Sequence, residues 1–293
     1  MKRYITFIMS VLMVAMNLFF SCTAPFEFAS QYSEPMIVIY GCLTDEDKNQ
    51  YIRITRSSPY FQEEENQIVS DAKVTVRSSE GKHYSFEHDS AGFYVCQQSI
   101  TVTPGVTFRL SVEVDFDKDG NIDLYEAEAR TPSKTLVDTI TVTSLSILGK
   151  HQYALNIYMQ EPSGMENFYL FNFVINDSIT NDMISDYIIL SDQYFNGKYV
   201  NGLSIKYFDA TSDKENTDNL SNVFTIRRGD RIKLKSMGIE KGYYYFISDC
   251  TTEKSGENPF FGGPPSNVIT NLSKGAIGYF TSFCVLENET IVQ

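Results

Sequence analysis

Short segments of strict two-residue alternation constrain this chain most. "TFRLSVEV" (107–114) places Phe108, Leu110, Val112 and Val114 on one face. "YIRITR" (51–56) does the same with Ile52 and Ile54, and "AKVTVR" (72–77) with Ala72, Val74 and Val76. "MIVIYGCL" (36–43) is a continuous apolar run. A period of two is the signature of a strand with one face buried, and a helix cannot use it. Several such pieces separated by turn residues predict a mainly β protein built as a sandwich.

The later half reads the same way. "DTITVTSL", "QYALNIYM", "FYLFNFVI" and "DYIIL" are expected strands, and the polar stretch 209–222 is expected to be a loop. One helix is predicted over 238–250, where Ile239, Tyr243, Phe246, Ile247 and Cys250 recur at helical spacing. That aromatic stripe could be a sugar platform, but at helical spacing it reads as core. Gly242 should weaken the helix by about 1 kcal/mol. "TPS" (131–133) suggests a boundary, giving β-rich domains at 35–133 and 134–293 after a tether at 22–34.

The first residues speak to compartment. Lys2 and Arg3 precede an apolar run, Ile5–Phe20, and then Ser21-Cys22. This is the pattern of a lipoprotein signal peptide over residues 1–21, with Cys22 as the lipidated residue. The run is shorter than the roughly 20 residues of a spanning helix. Loss of Lys2 and Arg3 with the signal would move the formal charge from −13 to −15. So acidic a chain is not expected to bind nucleic acid, and it has no basic patch for anionic lipid. The lipid on Cys22 must then make the membrane attachment. Cys42, Cys96, Cys250 and Cys284 match no zinc spacing; they are either bridged or small buried residues.

"DFDKDGNIDLYE" (115–126) carries the ligand order of a calcium loop. Asp115, Asp117, Asp119 and Asp123 would give carboxylate oxygens, Asn121 its backbone carbonyl and Glu126 both oxygens. Gly120 would take the sharp turn and Ile122 would point inward. The flanks alternate as strands do, so the loop is expected at a hairpin tip. The rival reading is a solvated acidic turn. The acidic stretches "DEDKN" (45–49) and "EEEN" (63–66) are read as solvated loop charge.

No nucleophile elbow, zinc-protease or phosphate-loop motif is present. His88, Asp89 and Ser90 are adjacent in sequence and so cannot form a triad; "EHDSAGF" reads as a hairpin tip. An enzyme is therefore not expected.

Taken in order, "DAKVTV", "DSAGFYVC" and "TPGVTFRLSVEV" resemble a transthyretin-like or carboxypeptidase-regulatory-like domain. With the lipobox-like start, "VIYGCLTDE", the Tyr-rich helix and the ending "NPFFGGPPSNVITNLSKGAIGYFTSF" (258–283), the chain resembles a family of Bacteroidota outer-membrane lipoproteins. That family carries a domain of unknown function, family 4249. Ala276 stands where its pattern usually has an aliphatic residue. The resemblance implies a lipid-anchored envelope protein, often found beside TonB-dependent outer-membrane transporters. It implies a non-catalytic binding or accessory subunit, or else a structural or adhesive surface module.

Overall fold

The computed structural model describes residues 34–57, 67–147, 149–179, 184–210, 224–255 and 268–293. Cys22, the signal, the acidic stretch 63–66 and nearly all of the polar stretch 209–222 lie outside them. Pro35–Gln293 forms one compact unit. The fold is mainly β, with 55% of residues in strands and 7% helical.

The expected alternation becomes a single eight-stranded sheet. Its strands are β1 (Ile37–Thr44), β2 (Gln50–Arg56), β3 (Lys73–Ser78), β4 (His83–His88), β5 (Phe93–Cys96), β6 (Thr107–Val114) and β7 (Asp123–Arg130). The eighth comes from far along the chain. β16 (Ile277–Phe283) pairs in parallel with β1, from Val38 opposite Ile277 to Thr44 opposite Phe283. The sheet order is therefore β16-β1-β2-β5-β4-β3-β6-β7. The expected boundary at 133 is thus crossed by a strand from the C-terminal part.

This sheet rolls round its own core, in which Ile39, Ile54, Phe108, Leu110 and Phe280 are fully buried. Its two edges meet through a short segment. The Asn271 Nδ2 donates to Glu128 O at 2.9 Å and to Phe280 O at 2.8 Å, and its Oδ1 accepts from Phe280 N at 3.0 Å. Ser273 N donates to Glu126 O, and Glu126 N donates to the Ser273 hydroxyl. Unpaired edge groups that packing would strand from water are thereby satisfied.

The remaining strands are β8 (Val137–Ile147), β9 (Lys150–Gln160), β10 (Phe168–Ile175), β11 (Ser178–Ile179), β12 (Ile188–Ser191), β13 (Tyr199–Ala210), β14 (Thr225–Ile226), β15 (Arg231–Ile239) and β17 (Val285–Ile291). β11-β10-β15-β17 form one sheet, which β12 joins through β10; β14-β13-β9-β8 form another. Leu155, Ile157 and Phe208 of the second sheet meet Phe171, Phe173, Ile232 and Leu234 of the first. β10 is apolar at nearly every position because both its faces are covered.

The second face of β10 receives the single described α-helix, α1 (Lys241–Ser255). It starts three residues later than the sequence predicted. Gly238 and Ile239 remain in β15, where Ile239 pairs with Phe168, and the first helical bond is Tyr244 N to Glu240 O at 3.0 Å. A strand held by a neighbour outlasts the helical spacing of its last apolar residue. Tyr243, Phe246 and Ile247 do form the buried stripe, against Leu170, Met237, Tyr279 and Phe283. The stripe is core, and each such side chain contributes roughly 1.5–3 kcal/mol of burial. Gly242, expected only to weaken the helix, has a packing reason: a Cβ there would fall 2.3 Å from the Tyr279 hydroxyl.

The 45–49 turn corrects another expectation. Asp47, Lys48 and Asn49 are exposed as expected, but exposed Asp45 and half-buried Glu46 are tied into the fold by specific partners. Asp45 accepts from Val285 N at 2.7 Å and pairs with Lys134. Glu46 accepts from both Lys48 and Lys235 at 2.5 Å. Partial burial raises the Glu46 carboxyl, but the two lysines outweigh it and hold it below the ordinary range. The four cysteines of the described chain are all free.

The parallel pairing of β1 and β16 demands glycine at 278. Its φ is +109°, and a Cβ would lie 2.1 Å from Ile39 O. Gly275 is also left-handed, at φ +69°, but faces open space. Gly275→Ala should cost only about 1–2 kcal/mol. Gly278→Ala should cost about 4 kcal/mol or more, since the strand pair itself must part. Urea unfolding of both variants checks this; equal costs would show that the close approach does not matter.

Candidate functional site

The acidic loop sits where expected, joining β6 to β7 in an antiparallel hairpin from Val114 opposite Asp123 to Thr107 opposite Arg130. Gly120 takes a left-handed turn at φ +89°. Ligand atoms of Asp115, Asp117 and Asp119 lie within 4.8 Å of one another. Asp123 and Glu126 are not in that group. Asp123 pairs with Lys274 at 3.4 Å, and Glu126 stands on the exposed face of β7 opposite Ser111. Ile122, expected to point inward, is 65% exposed. The reason is local: no helix follows the loop to fold its end back.

Backbone groups already serve the three carboxylates. Gly120 N donates to Asp115 Oδ2 at 3.1 Å, Asp119 N to Asp117 Oδ1 at 3.2 Å, and Asn121 N to Asp119 Oδ1 at 2.7 Å. Asn121, expected to give a carbonyl, thus also gives donors. Its side-chain amide is the main reason the Asp119 carboxyl sits below its ordinary value. Asp115 Oδ1 is buried and receives no hydrogen bond.

A larger feature lies elsewhere. A cleft of about 660 Å³ opens between the end of β7, the 131–136 connection, the start of β10 and the start of α1. Leu136 and Met165 stand exposed at it, while Met159, Phe168 and Tyr279 supply buried apolar wall. Its size falls in the usual range for ligand pockets. Among the described residues its lining includes no histidine and no cysteine.

The charged groups of the cleft are mostly paired. Glu166 binds Lys241 at 2.7 Å, Glu128 binds Arg109 at 2.8 Å and Lys134 binds Asp45 at 3.2 Å. Glu240 is different. Its Oε1 accepts from the Arg130 backbone N–H at 3.1 Å, and it makes no ion pair among the described residues. Partial burial raises its carboxyl above the ordinary range; Glu128 adds to the rise, while the Arg130 N–H and charge oppose it. The neighbouring Tyr279 phenol is pushed up to about 12, by burial and then by the Glu240 charge.

A family model described as a domain of unknown function, DUF4249, matches residues 23–289. The chain belongs to this family. No curated protein matches it. The glycine-rich stretch "KGAIGYF" (274–280) has a structural meaning: Ala276 and Phe280 enter the core and Gly278 lets β16 touch β1.

The sequence did not point to Glu240, which is one acid among 37 acidic residues. Its role depends on Arg130, 110 residues away. The linkage has a definite sign. A carboxyl raised in the folded state adds stability below its unfolded value and loses it as pH rises through the folded value. Glu240→Gln keeps the acceptor and removes the charge. The variant should melt above the parent at about pH 7.5 and match it near pH 4. Thermal unfolding at fixed ionic strength checks this; a lower melting temperature at the higher pH would mean that the charge stabilises the fold.

Proposed function

We propose that the mature protein is a non-catalytic lipoprotein of the cell envelope, held to the outer membrane by lipid on Cys22. It acts as a binding or accessory subunit of a TonB-dependent transport system, and the Glu240 cleft holds its ligand. The cleft carries this reading. It is large, apolar in part, and lined by charged groups that are tied to partners rather than arranged as a nucleophile and base. Family membership agrees with it, as does the lipobox-like Ser21-Cys22. The order of the first seven strands suits a transthyretin-like module serving as the mounting for that cleft.

Native membranes solubilised in mild detergent supply the test. Affinity capture of the protein should co-purify a TonB-dependent transporter, and mass spectrometry should find the chain starting at an acylated Cys22. Repeated capture without a transporter, or a free Cys22 thiol, would overturn the reading.

We also propose that the hairpin loop takes a calcium ion on Asp115, Asp117 and Asp119. The buried, unbonded Asp115 Oδ1 supports the fit, because such an oxygen is costly unless something donates to it or coordinates it. The ion would stiffen the hairpin. Affinity should be in the range of extracellular modules, on the order of 0.1–1 mM. Titration calorimetry should show heat for the parent and for Glu126→Ala, and none for Asp117→Ala. Silence in the parent would leave an ordinary acidic turn; loss in Glu126→Ala would mean that the loop closes further than its strands show.

A further inference from the structure

The cleft contains one carboxylate, Glu240, that makes no ion pair among the described residues. The nearby lysines are engaged. Lys241, next to Glu240 in sequence, is held by Glu166, and Lys134 is held by Asp45. Arg130 also lines the cleft, and its charge acts on Glu240 without forming an ion pair. Only its backbone N–H reaches the carboxylate. A partly buried carboxylate is costly without a charged partner, so this position favours any ligand that brings a cation.

The walls define what should carry that cation. Phe168, on the wall of the cleft, accepts Lys241 over its ring at 5.8 Å, and Tyr279 lines the same cleft. Aromatic side chains sharing a cleft with a carboxylate favour an ammonium or guanidinium group over a hydrated metal ion. Leu136 and Met165 are 62% and 61% exposed, large apolar side chains with no cover of their own. They suit an apolar group adjoining the cation.

Resting on the reading that this cleft is the ligand site, we propose that it recognises a basic side chain within a short apolar peptide. Glu240 receives the ammonium or guanidinium group, and Leu136 and Met165 pack against the neighbouring side chains. A polyamine offers the same cation without the apolar neighbours, so the peptide is the better match to this lining.

Calorimetry on the mature chain at low salt tests the idea with three probes. These are acetyl-Phe-Lys-Phe-amide, the same peptide with norleucine for lysine, and spermidine. The lysyl peptide should bind at least about tenfold tighter than the norleucine peptide, a gap worth about 1.4 kcal/mol. Glu240→Gln should erase that gap while its melting temperature is kept or raised. Arg130→Gln should tighten the lysyl peptide, because it removes the competing positive field. Equal binding of the two peptides, or an unchanged gap in Glu240→Gln, would overturn the proposal. Spermidine binding tighter than the lysyl peptide would overturn the peptide as its source. Glu240→Gln is also put through the transporter capture. A retained transporter alongside a failed peptide titration would remove the ligand class and leave the accessory role standing.

Discussion

The parallel pairing of β1 with β16 makes one body of the described chain. It joins Ile37–Thr44 to a strand some 240 residues later. Closing so long a loop is entropically expensive, though the cost grows only slowly with length. Its larger effect is on kinetics, because non-local pairing must wait until much of the chain is in place. Once formed, it brings Tyr279 and Phe283 under α1, where Tyr243 and Phe246 bury them and the Tyr40 and Tyr243 hydroxyls meet at 2.8 Å. The helix is therefore fixed by the eight-stranded sheet and by the sheet of β10 and β15, and so is Glu240 at its foot.

Much of the strand content was legible because a half-buried strand writes its geometry into every second residue. β6 runs over the predicted 107–114, and β1, β2 and β3 follow their runs closely. β13 escaped because register shifts at Asn201/Leu203 and Ser204/Lys206 break its alternation. The helix was recognised but placed early, since Ile239 fits helical spacing and strand pairing equally well. Asp45, Glu46 and Glu240 could not be read at all. Their partners are Val285, Lys235 and Arg130, and nothing in the local pattern around an acid names a donor on a distant strand.

The acidic loop shows how a motif depends on its frame. Its spacing gathers the first three aspartates, because they lie within one tight turn round Gly120. The twelfth position belongs to β7 instead. An extended strand advances about 3.3 Å per residue, so Glu126 is carried roughly 10 Å beyond Asp123 rather than folded back over the loop. The order of residues survives, while the coordination shell a helix would complete does not.

The Asn271–Ser273 segment has an effect on how copies of the protein meet one another. An open sheet edge is a template on which a second chain can add a strand, the first step towards polymerisation. On β7 the outward Glu126 and Glu128 carbonyls and the Glu126 N–H are already taken by Ser273 and Asn271. The rolled sheet is thus sealed at the point where its ends come together. Crowded copies of the protein would find no vacant rung there, and self-association along this edge would first have to lift the asparagine out of its place.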